Sequence, residues 1–250
     1  MSEFRMPEPT FLPSLFEGRV AVVTGGTSGL GAATARVLAR LGAEVHAVGL
    51  GADPALFDDP RIRVQELDVT DDAALTRLFA GLGRLDILVP AAGISLGERE
   101  HEWDAFQRVV SIQLLAVYRT IQLARGLLSK TGGSVITIAS MYAYFGGGDI
   151  VAYSASKGGV VQLTKSLAEA YAPDGIRVNS IAPGWIDTPL LAPLKADPVV
   201  GPRLLSRTPL GRYGDPEEIG IVVAFLASDA ASFITGAVLP VDGGYLVAGI

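Results

Sequence analysis

Seven short runs rich in β-branched residues recur along the chain, at Val20 to Thr24, Glu44 to Val48, Arg63 to Leu67, Ile87 to Val89, Ser134 to Ala139, Arg177 to Ala182 and Ala237 to Val241. Every run but the last leads into a segment with amphipathic or glycine-capped helical character. Alternation of this kind admits few folds. Parallel strands need crossover connections, and helices on both faces then bury the sheet from either side. The expectation is an α/β fold built on a doubly wound parallel sheet of about seven strands. No linker or repeat interrupts residues 18–250, so one domain is expected there, after an arm over residues 1–17 read as extended. Its 49% hydrophobic content and 30 glycines suit a sheet buried on both faces, or a subunit interface.

Several function classes fall away on composition. A net charge of -6 without any basic run argues against nucleic acid and membrane surfaces, which leaves small-molecule chemistry. With no cysteine, disulfides, thiolate catalysis and cysteine metal sites are excluded. His46 and His101 are the only histidines, one in a strand and one at a helix start, so no metal pair is expected, and no Gly-x-Ser-x-Gly elbow occurs. The first twenty residues hold three prolines and three glutamates where a signal peptide needs an apolar core, so a cytoplasmic location is expected. No stretch suggests a membrane span.

The first strand runs into Thr24-Gly25-Gly26-Thr27-Ser28-Gly29-Leu30-Gly31, and a helical pattern follows from Ala32. Glycines 25, 29 and 31 permit a tight turn, close approach of a pyrophosphate to the backbone, and close packing of helix on strand. The helix amino terminus then offers N–H donors and a partial positive charge to the phosphates. The end of the second strand ordinarily shows the choice between NAD and NADP. In Val48-Gly49-Leu50-Gly51-Ala52-Asp53 there is neither the usual carboxylate nor an arginine, and no lysine or arginine appears from Val45 to Pro60. A 2′-phosphate wants a cation, so the sequence leans to NAD, with Asp53 as a displaced ribose ligand and NADP left open. After the third strand, Asp68-Val69 is placed to cap an adenine; Asp68 as a helix cap ahead of Asp71 and Asp72 is a compatible alternative.

Tyr153 and Lys157 stand four residues apart in Tyr-Ser-Ala-Ser-Lys, with Ser140 thirteen residues upstream of the tyrosine. On a helix that spacing sets phenol and ammonium on one face, where the cation can lower a phenol pKa that starts near ~10. A phenol tuned this way can trade a proton with an alcohol or ketone oxygen.

Taken in order, these segments resemble the short-chain dehydrogenase/reductase family over almost the whole chain, from about Gly18 to Tyr245. The residues that carry the resemblance are Thr-Gly-x-x-x-Gly-x-Gly at 24–31, Asp68-Val69, Ala92-Gly93, Ser140, Tyr153-x-x-x-Lys157, Asn179, Pro183-Gly184 and Val241-Asp242-Gly243-Gly244. The resemblance implies a Rossmann-type fold. It also implies Tyr153 as general acid or base, Ser140 as substrate anchor, and Lys157 as both tuner of the phenol and ligand of the nicotinamide ribose. Pro183, Gly184, Ile186 and Thr188 would grip the carboxamide. Two departures stand out. Pro90-Ala91-Ala92-Gly93 replaces the family's Asn-Asn-Ala-Gly, which removes side-chain bonds but leaves a backbone path past the cofactor. Gln113 stands where the family's asparagine holds a water linked to Lys157, so it either reaches that water with one more methylene or alters the relay.

Ser95, Met141, Tyr142, Tyr144, Phe145, Trp185, Leu190, Leu191 and Leu194 are the substrate-shaping candidates, with space left by Gly146-Gly147-Gly148-Asp149. They suit a sugar, polyol or sugar acid, or a modest apolar ketone such as a 3-oxoacyl or steroid substrate. A redox-silent dinucleotide-binding regulator is the alternative from another class. The proline-rich segment 189–215 is a candidate lid, with a surface or subunit-contact loop as the alternative. Apolar residues on more than one face of the helices at 107–128 and 154–171, together with the family's habit, point to a homotetramer.

Overall fold

Val22 and Val23 are both fully buried in strand β1 (Val20–Thr24), although successive side chains of a strand face opposite sides. A strand apolar on both sides has to lie inside a sheet that is covered twice. A computed structural model, which describes residues 10–248, places it there. The sheet has seven strands in the order β3-β2-β1-β4-β5-β6-β7. Its other members are β2 (Glu44–Gly49), β3 (Ile62–Glu66), β4 (Ile87–Pro90), β5 (Ser134–Ile138), β6 (Arg177–Pro183) and β7 (Val238–Val241). Every neighbouring pair is parallel. The chain moves outward from β1 to β3, then returns to lay β4 on the other side of β1. This reversal opens a crevice at the carboxyl ends of β1 and β4, the place where such sheets bind ligands.

Helices α1 (Gly29–Arg40) and α8 (Pro216–Ala227) cover one face, sharing a core with Phe16, Val23 and Ile136. The opposite core gathers α2 (Asp72–Ala80), α4 (Ala116–Thr131) and α5 (Val151–Tyr171) around Val22, Leu88 and Val135. Between α2 and α4 the chain forms α3 (Trp103–Val110), joined to α4 by a single π turn at Ser111–Leu115. Exposed apolar side chains include Leu115 and Tyr118 at the start of α4 and Leu239 on β7. Among the described residues no helix is long and apolar enough to cross a membrane, and no three metal-ligating side chains gather as an ion would require.

The expected strands stand within a residue or so of the observed ones, but two expectations need correction. The strict alternation fails between β2 and β3, where residues 50–61 hold only a 3-10 turn at Pro54–Leu56; Pro54 opens that turn, and Pro60 opposes helical continuation through Asp59. The arm is not extended over residues 10–17. It coils in turns that bury Phe16 completely, with the Phe16 N–H on the Leu41 carbonyl at 2.8 Å, while residues 1–9 lie outside the described residues. The excursion after β6 folds into two short helices, α6 (Ala192–Ala196) and α7 (Val200–Ser206).

Candidate active site

Helix α1 opens at the crevice, and the way it begins decides what it can hold. Its N-cap, Ser28, is extended, makes no side-chain capping bond, and has no acidic residue in the turn that follows. By contrast Asp71 caps α2 through the Ala74 N–H at 3.0 Å, and Asp215 and Glu218 form a capping box on α8. The first-turn donors of α1 therefore remain open at the positive end of the helix dipole, the arrangement that takes an anion. Thr27 turns its hydroxyl to the Leu50 carbonyl at 2.8 Å, and the Gly26 N–H reaches the Val48 carbonyl at 3.1 Å, fixing the turn to the tip of β2. A Cβ at Gly31 would overlap the carbonyl of Gly25, so this helix can sit so close to its strand only with glycine. Gly25, Thr27, Ser28, Gly29, Leu30 and Gly31 thus fit a dinucleotide pyrophosphate.

Beyond Gly49 and Leu50 the tip of β2 is closed by the protein itself. Asp53 accepts from the Ala55 N–H at 2.9 Å as cap of the short turn, through one oxygen of an exposed carboxylate. Glu66 accepts from the Ala52 N–H at 2.7 Å. Arg36 donates to the Leu56 carbonyl at 3.1 Å and stacks on Phe57. Asp68 is bound by the N–H and hydroxyl of Thr70, at 2.8 and 2.7 Å, which hold its carboxyl below the usual carboxylate range. The helix cap is Asp71, so Asp68 does not serve as one, and Val69 is buried beneath it.

The Ala91 N–H donates to Thr24 at 3.0 Å, bringing Ala91, Ala92 and Gly93 past the end of β1. Pro183 and Gly184 end β6, with the Gly184 N–H on Val241 at 3.0 Å. An isolated bridge pairs Ile186 with Gly214 through the Trp185 carbonyl and the Asp187 N–H. Ile186 keeps its own N–H and carbonyl on the other side of that bridge, beside Thr188 on the cavity wall.

Ser140 follows β5 and Tyr153 lies in the first turns of α5, so strand end and helix start converge on one wall. The Ser140 hydroxyl oxygen accepts from the Tyr142 N–H at 3.2 Å. Lys157, one turn below Tyr153, is buried, donates to the Ile138 carbonyl at 2.7 Å and stands 5.4 Å from the Tyr153 ring centroid. Burial governs both groups. It pushes the Tyr153 phenol up to about 12, against the downward pull of the Ser140 hydroxyl, and pushes the Lys157 ammonium down to about 7. Among the protein's own side chains the phenol is thus raised rather than lowered, burial being the largest cause, while the Lys157 Nζ bonds the Ile138 carbonyl. The cavity in front of this wall measures about 830 Å³. It is lined by Ser95, Ser140, Met141, Tyr142, Phe145, Tyr153, Trp185, Leu190, Leu191 and Leu194, with the 146–149 glycine turn at one side. Tyr144 is half exposed and lies outside this lining, which removes it from the substrate candidates.

Comparison with known proteins agrees with this geometry. A family model described as "Enoyl-(Acyl carrier protein) reductase" matches residues 25–246. A cis-4-hydroxycyclohexanecarboxylate dehydrogenase of Sinomonas cyclohexanicum is 46% identical over 92% of this chain and 97% of its own length. The chain belongs to the short-chain dehydrogenase/reductase family. It is an NAD(P)-dependent oxidoreductase, and the regulatory alternative is set aside. Within the family, the 3-oxoacyl-[acyl-carrier-protein] reductase FabG of Thermotoga maritima is 34% identical over 92% of this chain and 99% of its own. A solved structure from Agrobacterium tumefaciens, a candidate 2-deoxy-D-gluconate 3-dehydrogenase with bound NADP, superposes with a TM-score of 0.88 at 38% identity, covering 94% and 99% of the two chains.

Both departures from the short-chain dehydrogenase pattern have local consequences. Since Ala91 donates towards β1, the missing N–H of Pro90 falls on the β5 side, where the ladder stops after Ile87↔Ser134 and Leu88↔Val135. Gln113 is buried in the π turn and donates to the Ile94 carbonyl at 2.7 Å, leaving Oε1 without a partner. Glycine at 93 leaves this amide room: a Cβ there would come 2.8 Å from Oε1, and the Gln113 side chain would have to shift.

Sequence reasoning missed Arg203 and Arg207 on the cavity wall, as well as Tyr245, which Arg207 overlies at 4.7 Å. The signal available was their spacing of four on one short helical segment inside the proline-rich excursion. It also left Glu100 in a solvated acidic cluster, whereas that side chain is fully buried against the start of α5.

Proposed function

We propose that this enzyme oxidises the secondary alcohol of a small hydroxy acid to its ketone, and reduces the ketone in reverse. The observation that carries the reading is the meeting of Ser140 and Tyr153 on one wall of the cavity, with Lys157 buried behind the Tyr153 ring, beside the open amino terminus of α1. Bound nicotinamide supplies the hydride acceptor or donor. The chain's residues handle orientation and one proton: Ser140 donates a hydrogen bond to the alcohol oxygen, and the Tyr153 phenolate takes the hydroxyl proton as the C–H bond is lost. Charging Tyr153 or Lys157 alone is costly in this buried corner, as the raised phenol and lowered ammonium indicate. Charging both as a phenolate–ammonium pair offsets the two costs, so Lys157 supports catalysis by titrating together with Tyr153. Gln113 keeps one amide end for a water, since its NH₂ holds Ile94.

The substrate class follows from the cavity's two characters. Tyr142, Phe145, Trp185 and Tyr245 form a box with ring centroids 5.0 to 6.1 Å apart, suited to a compact ring or short chain. Arg203 and Arg207 make no ion pair among the described residues and offer a carboxylate its counter-charge. The names of the Sinomonas and Agrobacterium relatives, each of which specifies a hydroxy acid, support that choice. NAD is the proposed cofactor, because residues 45–60 carry no lysine or arginine and Arg36 is turned to the Leu56 carbonyl and the Phe57 ring.

The test follows nicotinamide absorbance with cis-4-hydroxycyclohexanecarboxylate, sugar acids, cyclohexanol and a 3-oxoacyl thioester, using NAD and NADP. Acids are expected to be turned over, cyclohexanol poorly, and NAD to be favoured by about tenfold. Tyr153→Phe is expected to lose about a thousandfold in kcat while still binding dinucleotide. Wild-type turnover in that variant would sink the mechanism; equal rates for acids and cyclohexanol would sink the substrate class.

A further inference from the structure

Glu100 is fully buried, and no step of the hydride transfer uses it. It sits in a 3-10 turn, Gly97–His101, between β4 and α3. One carboxylate oxygen accepts from the Ser95 hydroxyl at 3.1 Å and the Leu96 N–H at 3.0 Å. The other accepts from the backbone N–H of Tyr153 at 2.9 Å. Tyr153 is the third residue of α5, so this N–H is among the donors a helix cannot satisfy from within, and the N-cap Ile150 has no side chain able to do it. A buried carboxylate at that end also gains from the helix dipole. His101 adds a bond from its ring to the Gly148 carbonyl at 2.8 Å, and the Gly147 N–H reaches Ser154 at 3.1 Å. Ser95 and Gly97 line the cavity on one side, and Gly147, Gly148, Ile150 and Tyr153 on another.

We propose that Glu100 is a positioning residue whose carboxylate locks the first turn of α5, and with it Tyr153, to the 95–97 wall of the cavity, so that substrate wall and proton-transfer group are held as one piece. This rests on the reading of Tyr153 as the proton-transfer group. The same carboxylate adds a negative charge to the surroundings of the phenol, alongside the Ser140 hydroxyl, the Tyr142 phenol and the buried Lys157, and that charge pushes the phenol up. Its removal therefore moves proton transfer to lower pH, an effect that a purely structural glutamate would not give.

Two variants separate reach from charge. Glu100→Gln presents one acceptor oxygen and breaks one of the two spans, whereas Glu100→Asp keeps the charge but is a methylene too short to hold both. With cis-4-hydroxycyclohexanecarboxylate and NAD, both variants are expected to lose ten- to a hundredfold in kcat, about the cost of a small misplacement, with dinucleotide Kd unchanged. The pH limb of alcohol oxidation is expected to move to lower pH in Glu100→Gln and to stay put in Glu100→Asp. Wild-type kcat in either folded variant, or an unmoved limb in Glu100→Gln, overturns the proposal. If the wild type turns over nothing in the panel, the reading of the site fails instead. Hydrogen exchange then decides Glu100 alone: joint loss of protection at 95–97 and 151–155 in Glu100→Gln supports the lock, and unchanged protection at either stretch refutes it.

Discussion

Helices α1 and α5 both begin at the cavity, and neither is capped by a side chain from its own N-cap residue. In α1 the donors stay open, and even Thr27 directs its hydroxyl elsewhere, to Leu50. In α5 the donor of Tyr153 is closed by Glu100, brought from a different segment. An open helix start is an anion site, because a ligand can supply the missing acceptors and meet the dipole. A helix start that must hold a side chain still cannot leave that acceptor to a diffusing ligand, so it is met by an internal carboxylate. One structural feature, a helix without its own cap, thus serves binding at one end of the cavity and positioning at the other.

Making α1 resemble an ordinary capped helix should break the comparison most severely. Ser28→Asp supplies an acceptor to the first turn and a charge where the pyrophosphate is expected. Dinucleotide Kd should weaken by about a hundredfold, in keeping with the several kcal/mol that apposed like charges cost, while the helix gains about 0.5 kcal/mol from its new cap. Calorimetric titration with NAD and a thermal melt measure the two effects, and an unchanged Kd would mean the α1 terminus is not the anion site.

A smaller effect belongs to the α5 side. Burial lowers Lys157 from 10.5 to about 7 in the folded chain. Between those values the unfolded chain binds a proton that the folded chain does not, so stability rises with pH across the window; below about 7 both states are charged and the full burial cost is present. Lys157→Met has no such cost. Its Tm advantage over wild type should therefore be greatest below pH 7 and narrow towards 10.5, and an advantage constant with pH would show that Lys157 is not held in the lowered state.

What the sequence disclosed divides along the same line. The glycine turn, the positions of the strands along the chain and the nearness of Tyr153 to Lys157 were legible because each depends on local spacing: a strand, a turn or one helical repeat. The missing helix between β2 and β3 was not, since Leu50 to Arg61 is apolar enough to suggest one while Pro60 cuts it short. Glu100 was misread for a different reason. Within Glu98 to Glu102 it is one acid among several, and only the fold carries it 53 residues along the chain to the N–H of Tyr153. The phenol's direction of shift was missed as well, because a four-residue spacing reports the proximity of Lys157 but not the burial that raises the phenol.

The smallest effect sharpens the comparison by serving as its control. The α8 start has what α1 lacks: Asp215 accepts from the Glu217 N–H at 2.8 Å, and Glu218 returns to the Asp215 N–H at 2.7 Å. Asp215→Ala removes one arm of this box and should cost about 1 kcal/mol, or roughly 2 to 4 °C in Tm for a domain of this size. Dinucleotide Kd and kcat should stay at wild-type values, because the acceptor lost there answered the helix's own donors rather than a ligand's charge. If Asp215→Ala weakened dinucleotide binding as strongly as Ser28→Asp, capping state would report only general stability, and the open terminus of α1 would lose its special meaning.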